Sequence, residues 1–268
     1  MCLNPYRINY GSHSHIYAPC KKCFECRIAA AREWSFRIAK ECRLYEKNCM
    51  ITLTYNNESL PREDVAPWRP TLRRRDVQLF LKRLRKKIGK FRYFGCGEYG
   101  EKFSRPHMHI IIFGYDFPDK VFFCKDKKGS ELYRSPLLES CWTAGFSSVC
   151  DVEFDTAKYV ALYMQKPPDG QRQRPFTFMS LKPGIGADSV EEQALKSDKI
   201  YVNGQYIRNP KYFNIILERK GFYREVDDLK HRRIVRWLNK MPDYDEIYKK
   251  IKKIEKKFGK SLDENFMI

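Results

Sequence analysis

Pro106-His107-Met108-His109-Ile110-Ile111-Ile112-Phe113 joins a proline and two histidines to an unbroken apolar, β-branched run. A run of this length and composition predicts a buried strand. Successive side chains of a strand point to opposite faces, so His107 and His109 share one face while Met108 faces the other. Two imidazoles on one rigid strand form half of a metal site. The chain has only five histidines, and two of them stand in this motif.

Working outward, residues 91–97 form a second strand candidate, joined to the first by a polar loop over 100–105. A hairpin around that loop places Glu98 roughly opposite His107, where cross-strand Cβ atoms are about 4.5–5.5 Å apart. Glu98 is therefore the expected third ligand. Glu101, in the loop, is the competing carboxylate.

Upstream, Cys49 to Tyr55 reads as a strand and residues 27–45 as a helix. Residues 71–88 form an amphipathic helix with Val77, Phe80, Leu81, Leu84 and Ile88 on one face. Its other face carries Arg73, Arg74, Arg75, Lys82, Arg85 and Lys86, a basic ridge that is either a phosphate contact or a solvated surface. Arg105 joins these residues as a DNA-contact candidate. Downstream, residues 145–154 read as a further strand, and a helix from about Thr156 must stop at Pro167-Pro168. A loop-rich region and two basic helices over about 225–259 complete the chain. The expected architecture is α+β: a central antiparallel sheet with helices packed on one side and a basic helical C-terminal extension. The expected division is 1–175, including a Cys-rich N-terminal segment, and 176–268, with the second part free to pack on the first.

On the helix after the last strand, Tyr159, Tyr163 and Lys166 stand at i, i+4 and i+7 and line one face. A phenol is a weak nucleophile while protonated, and a nearby ammonium favours the phenolate or offsets phosphate charge. Spacing alone does not separate this reading from an ordinary buried aromatic stripe.

Lys+Arg 52 against Asp+Glu 33 leaves a formal charge of +19, and 15% of residues are aromatic. A field of that sign seeks a polyanion, and rings that stack on bases favour nucleic acid over a membrane surface. Neither an apolar stretch of membrane-spanning length nor a signal-peptide core is present, so ten cysteines are expected in a reducing compartment.

These elements together resemble the HUH endonuclease superfamily, which pairs a His-hydrophobic-His metal motif with a later helix bearing one or two nucleophilic tyrosines. The stretch from Cys96 to His109, the strand Ile51 to Tyr55, the segment Pro19 to Arg27 and the run Phe178 to Gly186 narrow the likeness. They are similar to the replication initiators of Microviridae, of the gokushovirus type, over roughly residues 17–220. The resemblance implies a ferredoxin-like or RRM-like sheet and a rolling-circle initiator in a bacterial cytoplasm. Such an initiator nicks the origin of a double-stranded replicative form, links a tyrosine to the 5′ phosphate, frees a 3′ hydroxyl and later closes a single-stranded circle. It assigns the nucleophile positions to Tyr159 and Tyr163, the accompanying cation to Lys166, and Mg2+ or Mn2+ to Glu98, His107 and His109. Viral origin DNA, single-stranded and duplex, is the implied partner, with a host helicase or polymerase as further partners. Leu162 departs from the family, where a basic residue commonly precedes the second tyrosine.

Cys20, Cys23 and Cys26 stand at C-x2-C-x2-C, a spacing that lets thiolates share a structural Zn2+ or pack as buried thiols. His13, His15, Cys2 and Cys42 are the open choices for a fourth ligand. Two competing functions use the same residues. A non-catalytic nucleic-acid platform accounts for charge and aromatics but gives Glu98, His107 and His109 no reason to converge. A two-histidine, one-carboxylate iron oxygenase uses those three but leaves the charge and the tyrosine pair idle.

Overall fold

The computed structural model describes residues 2, 5–10, 14–100, 103–127, 129–152, 173–190, 195, 199–202 and 205–239. They divide into two compact units, 34–189 on one side and 1–33 with 190–268 on the other. The helix predicted over 156–166, with Tyr159, Tyr163 and Lys166, lies outside the described residues, as do Glu101 and the tail beyond 239.

The larger unit is built on a seven-stranded, wholly antiparallel sheet. In chain order its strands are β3 (Asn48–Tyr55), β4 (Arg92–Tyr99), β5 (Pro106–Phe113), β6 (Val121–Lys125), β7 (Glu131–Arg134), β8 (Gly145–Asp151) and β9 (Phe176–Met179). Their spatial order is β6-β7-β8-β3-β5-β4-β9, which leaves β5 near the middle. The smaller unit holds β1 (Tyr6–Tyr10) and β2 (Ser14–Ala18), and farther along the chain β10 (Lys199–Val202) and β11 (Gln205–Arg208).

The sheet presents two chemically different faces. Cys49, Ile51, Leu53 and Tyr55 of β3 alternate with half-buried partners and are all fully buried. With Met108, Ile110 and Ile112 of β5 they form the floor of the main core. Helix α2 (Arg74–Ile88) closes it with Val77, Phe80, Leu81 and Leu84, and a short helix α3 (Pro136–Cys141) adds Leu138 and Cys141. Ser135 caps α3 by accepting a hydrogen bond from the Leu138 N–H at 3.1 Å. Helix α2 ends at Gly89, whose φ of +84° suits a residue without a Cβ.

The expected packing of helices on one side holds for α2 and α3. Helix α1 (Phe24–Cys42) adds a second layer, because its residues from Trp34 onward cover the lower part of the opposite face. There Trp34, Ile38 and Cys42 meet Phe94, Ile111 and Phe113. Glu41, fully buried, accepts hydrogen bonds from Arg92 Nε at 2.6 Å and from the Gly186 N–H at 2.6 Å. Arg92 also donates to Pro183 O at 2.8 Å, so one ion pair pins the turn over 182–186 against the sheet.

In the smaller unit β1 pairs with β2 and β10 with β11 as separate two-stranded ribbons. Helices α4 (Lys211–Arg219) and α5 (Tyr223–Asn239) pack through Phe213, Leu217, Val226 and Leu229, all buried. Only one of the two expected C-terminal basic helices falls within the described residues.

Candidate metal centre

The strand register aligns the predicted ligands. Glu98 lies opposite His107, and Cys96 and Thr52 flank His109 from the two neighbouring strands. Because period-two alternation carries across paired strands, Glu98, His107, His109 and Thr52 all project from one face, the one α2 does not cover. Glu98 Oε1 lies 3.4 Å from His107 Nε2 and 3.1 Å from His109 Nε2. One ligand atom from each of the three residues lies within 4.8 Å of the other two.

Burial grades the set. The Glu98 side chain is 1% exposed, His109 9% and His107 20%, so the centre opens to solvent on the His107 side. Burial works against ionising Glu98, but hydrogen bonds from His107 and His109 and their charge overcome it, holding the carboxyl below its usual value. A carboxylate kept ionised at the bottom of an imidazole pair is a ready cation ligand.

Two neighbours fix the ring positions. Thr52 Oγ1 lies 3.0 Å from His109 Nδ1, which leaves Nε2 facing the carboxylate. Gly100 closes the loop by donating to Arg105 O at 3.0 Å, and a Cβ placed on it would come within 2.8 Å of His107 Cε1. The His107 ring therefore occupies space that any other residue at 100 would fill. On the far face, Cβ atoms at Gly95 and Gly97 would press into the rings of Phe178 and Phe176, which lets β9 lie close along β4.

A carboxylate oxygen and two imidazole nitrogens on one face, with open space at the His107 edge, suit a hard divalent ion that keeps water or phosphate oxygens in its remaining positions. The donor set thus fits Mg2+ or Mn2+.

The remaining site candidates fall in several places. Arg73, Arg74, Arg75, Lys82, Arg85 and Lys86 are carried by α2 and the residue before it, on the face of the sheet opposite the imidazoles. Arg74 sits 4.2 Å over the Phe176 ring, and Arg85 lies over Phe91 and Tyr93. Arg105 is turned inward, with one NH group donating to Tyr55 O at 2.6 Å and the other to Asn57 Oδ1. It ties the start of β5 to the end of β3. In the smaller unit, Cys20, Cys23 and Cys26 meet one another and Cys2. Sequence reasoning does not single out Thr52 or Gly100. The alternation of Thr52 and Thr54 in β3 is a usable signal, but only the register connects it to His109.

Residues 48–168 match the model of the replication-associated protein ORF2 family, a span that contains Glu98, His107, His109, Tyr159, Tyr163 and Lys166. The chain is 32% identical over 213 residues to replication-associated protein VP4 of Bdellovibrio phage phiMH2K, covering 73% of this chain and 65% of that one. It is 28% identical over 235 residues to replication-associated protein ORF2 of Spiroplasma virus 4, covering 80% and 72%. It is also 28% identical over 225 residues to replication-associated protein ORF4 of Chlamydia phage 1, covering 75% and 53%. The chain thus spans just under two thirds of the Bdellovibrio phage protein and about half of the Chlamydia phage protein. No solved structure matches it.

Proposed function

This chain belongs to the replication-associated proteins of small, Microviridae-type phages, and from that premise we propose that it initiates rolling-circle replication as a metal-dependent, tyrosine-nucleophile DNA endonuclease and strand transferase. The observation that carries the proposal is the convergence of Glu98, His107 and His109 on one exposed edge of a rigid sheet.

Mg2+ or Mn2+ held by these three would polarise the scissile phosphate and offset the charge that builds on it. The chain's own residues do the rest. Thr52 and Gly100 fix the two imidazoles so that the carboxylate and both rings are in place before DNA arrives. Tyr159 or Tyr163 attacks phosphorus through its phenol oxygen: the Tyr Oη–P bond forms and the P–O3′ bond breaks. The phenol proton passes to solvent, and the departing 3′ oxygen takes one up. Lys166, two turns from Tyr159 by helical spacing, stabilises the phenolate or the phosphate. The second tyrosine repeats the cleavage after one round, and the new 3′ hydroxyl attacks the first phosphotyrosine to close the circle.

The +19 formal charge supports a DNA substrate, and the basic ridge of α2 supplies sequence-independent phosphate contacts. Extension of the freed 3′ end calls for a host polymerase and helicase, and hence for a reaction in the bacterial cytoplasm. Among the described residues no helix is long and apolar enough to cross a membrane. An iron oxygenase would use the same ligand triad, but it leaves the charge and the family unexplained.

The test is incubation of the protein with a supercoiled replicative form carrying its own origin and Mn2+, followed by nuclease digestion and a denaturing gel. A nicked circle with a covalent protein–DNA adduct is expected, and both vanish on chelation and in the Tyr159→Phe/Tyr163→Phe double variant. Binding without an adduct under every divalent ion would replace this reading with that of a passive DNA platform.

A further inference from the structure

The smaller unit contains a second group of ligand-type side chains that the proposed chemistry does not use. Cys2, Cys20, Cys23 and Cys26 place all four Sγ atoms within 4.8 Å of one another. Cys20 Sγ and Cys26 Sγ are 4.0 Å apart, and Cys23 Sγ and Cys2 Sγ 3.9 Å. These are not disulfides, whose sulfurs sit about 2.05 Å apart, and all four cysteines are free thiols. They match another geometry. With Zn–S bonds of about 2.3 Å, the edge of a tetrahedral thiolate site is about 3.8 Å. We propose that Cys2, Cys20, Cys23 and Cys26 together hold one structural Zn2+ ion.

The surroundings suit four thiolates. The Cys20 sulfur accepts hydrogen bonds from the backbone N–H groups of Lys22 at 3.4 Å and Cys23 at 3.3 Å. Cys2 Sγ accepts one from the Cys20 N–H at 3.2 Å. Donors aimed at sulfur stabilise its charged form. Cys23 stands directly before α1 and Cys26 in its first turn, where the exposed N–H groups and the helix dipole favour negative charge. Four thiolates around one Zn2+ keep an excess of negative charge, and Lys21, Lys22 and Arg27 lie next to the ligands in the chain to offset it.

The fold also gives the ion a task. Cys2 and Cys20 flank the β1–β2 hairpin, whose strands pair only with each other. An isolated two-stranded hairpin is marginal in water, with no third strand to share its apolar residues. A shared ion would close the ends of that hairpin and fasten them to the start of α1, so that metal binding becomes folding free energy for this segment. Sequence spacing supplies three of the ligands. Cys2, eighteen residues before Cys20, becomes the fourth because the hairpin brings it back, and Cys42 packs instead with the sheet core.

The test begins with the full chain purified under reducing conditions without added metal. Elemental analysis should find about one zinc per chain. Replacement by Co2+ should produce the intense thiolate-to-cobalt charge-transfer band of a tetrahedral sulfur site. The Cys2→Ser/Cys23→Ser variant should lose the zinc, while Cys42→Ser and the Glu98→Ala/His107→Ala/His109→Ala variant should keep it. The cobalt titration on wild-type protein needs no variant to fold. A wild-type chain with neither zinc nor a cobalt–thiolate band overturns the proposal. So does zinc retained by the double-cysteine variant, or iron in place of zinc.

Discussion

Glu98 faces His107 in the strand register, yet its Oε1 lies nearer the Nε2 of His109, at 3.1 Å, than that of His107, at 3.4 Å. The carboxylate reaches diagonally because His109 is held from its other side, by Thr52 Oγ1 at 3.0 Å. A neighbour that fixes a ligating imidazole typically accounts for about 10–100-fold in metal affinity. Thr52→Val keeps the shape and removes the hydroxyl, so Mn2+ affinity should fall by about 10-fold or more, measured by calorimetry. Thr52→Ser should restore most of it. Equal affinities in the valine variant and wild type would mean that the strand backbone alone orients His109.

Gly100 governs the other imidazole. A methyl group there would stand 2.8 Å from His107 Cε1, so the ring must turn or the loop must move. Overpacking of this kind costs about 1–3 kcal/mol where nothing can give, but His107 lies on the solvent side and can swing out. Gly100→Ala should therefore lower metal affinity and nicking several-fold and change the melting temperature little. A large fall in melting temperature with unchanged metal affinity would place the strain in the backbone instead.

The ligand set was legible because its geometry is local. His-x-His needs only strand alternation, and Glu98 needs only a hairpin with a short loop. The stripe of Val77, Phe80, Leu81 and Leu84 likewise declared α2, since a buried helix face repeats at helical spacing. What stayed hidden depends on pairing between distant segments. Thr52 meets His109 across 57 residues. The β1–β2 hairpin, in a stretch expected to be irregular, mixes polar and apolar residues and pairs with nothing else. Strand β6 exposes Val121, Phe122 and Phe123 at the sheet edge, so no buried face imposes a pattern. Strand β9 is four residues followed at once by a proline- and glycine-bearing turn, and reads as loop.

The Glu41–Arg92 pair should dominate stability of the larger unit. Glu41 is fully buried, and its two oxygens accept from Arg92 Nε and the Gly186 N–H. Removing one partner of a buried pair leaves an uncompensated charge and costs about 3–5 kcal/mol. Arg92→Ala should show that loss in urea unfolding and should expose the turn over 182–186 to protease, whereas Lys125→Ala, at an exposed pair with Glu131, should cost under about 1 kcal/mol. Similar losses for both variants would contradict the assigned role.

Alkaline pH should weaken the fold through Tyr55. Burial, and then the Asp76 carboxylate that accepts its hydroxyl at 2.9 Å, push this phenol well above its ordinary value. The folded state thus holds a proton that the unfolded chain releases near pH ~10. The stabilisation is complete below that pH and is lost as pH rises above it, at about 1.4 kcal/mol per pH unit. Tyr55→Phe lacks this dependence but loses a hydrogen bond worth about 1 kcal/mol. The variant should be the less stable at about pH 8, and the gap should close by about pH 11 in matched urea titrations. A gap that is constant with pH would show that Tyr55 ionises in the folded protein.

The basic ridge of α2 lies on the opposite face of the sheet from the imidazoles, so its contribution to binding should separate from the chemistry. Arg75, Lys82 and Lys86 are exposed and stand at i, i+7 and i+11, within about 40° of one another around the helix. If each neutralises one phosphate, the log–log salt dependence of DNA affinity falls by about 0.7–0.9 per residue, or about 2–3 for the triple alanine variant. Affinity at low salt should drop uniformly across sequences, because phosphate contacts carry no base information. Cleavage at saturating DNA should stay at the wild-type rate, since none of the three touches Glu98, His107 or His109. An unchanged salt slope would show that DNA reaches the metal centre without crossing α2, and that the ridge is a solvated surface.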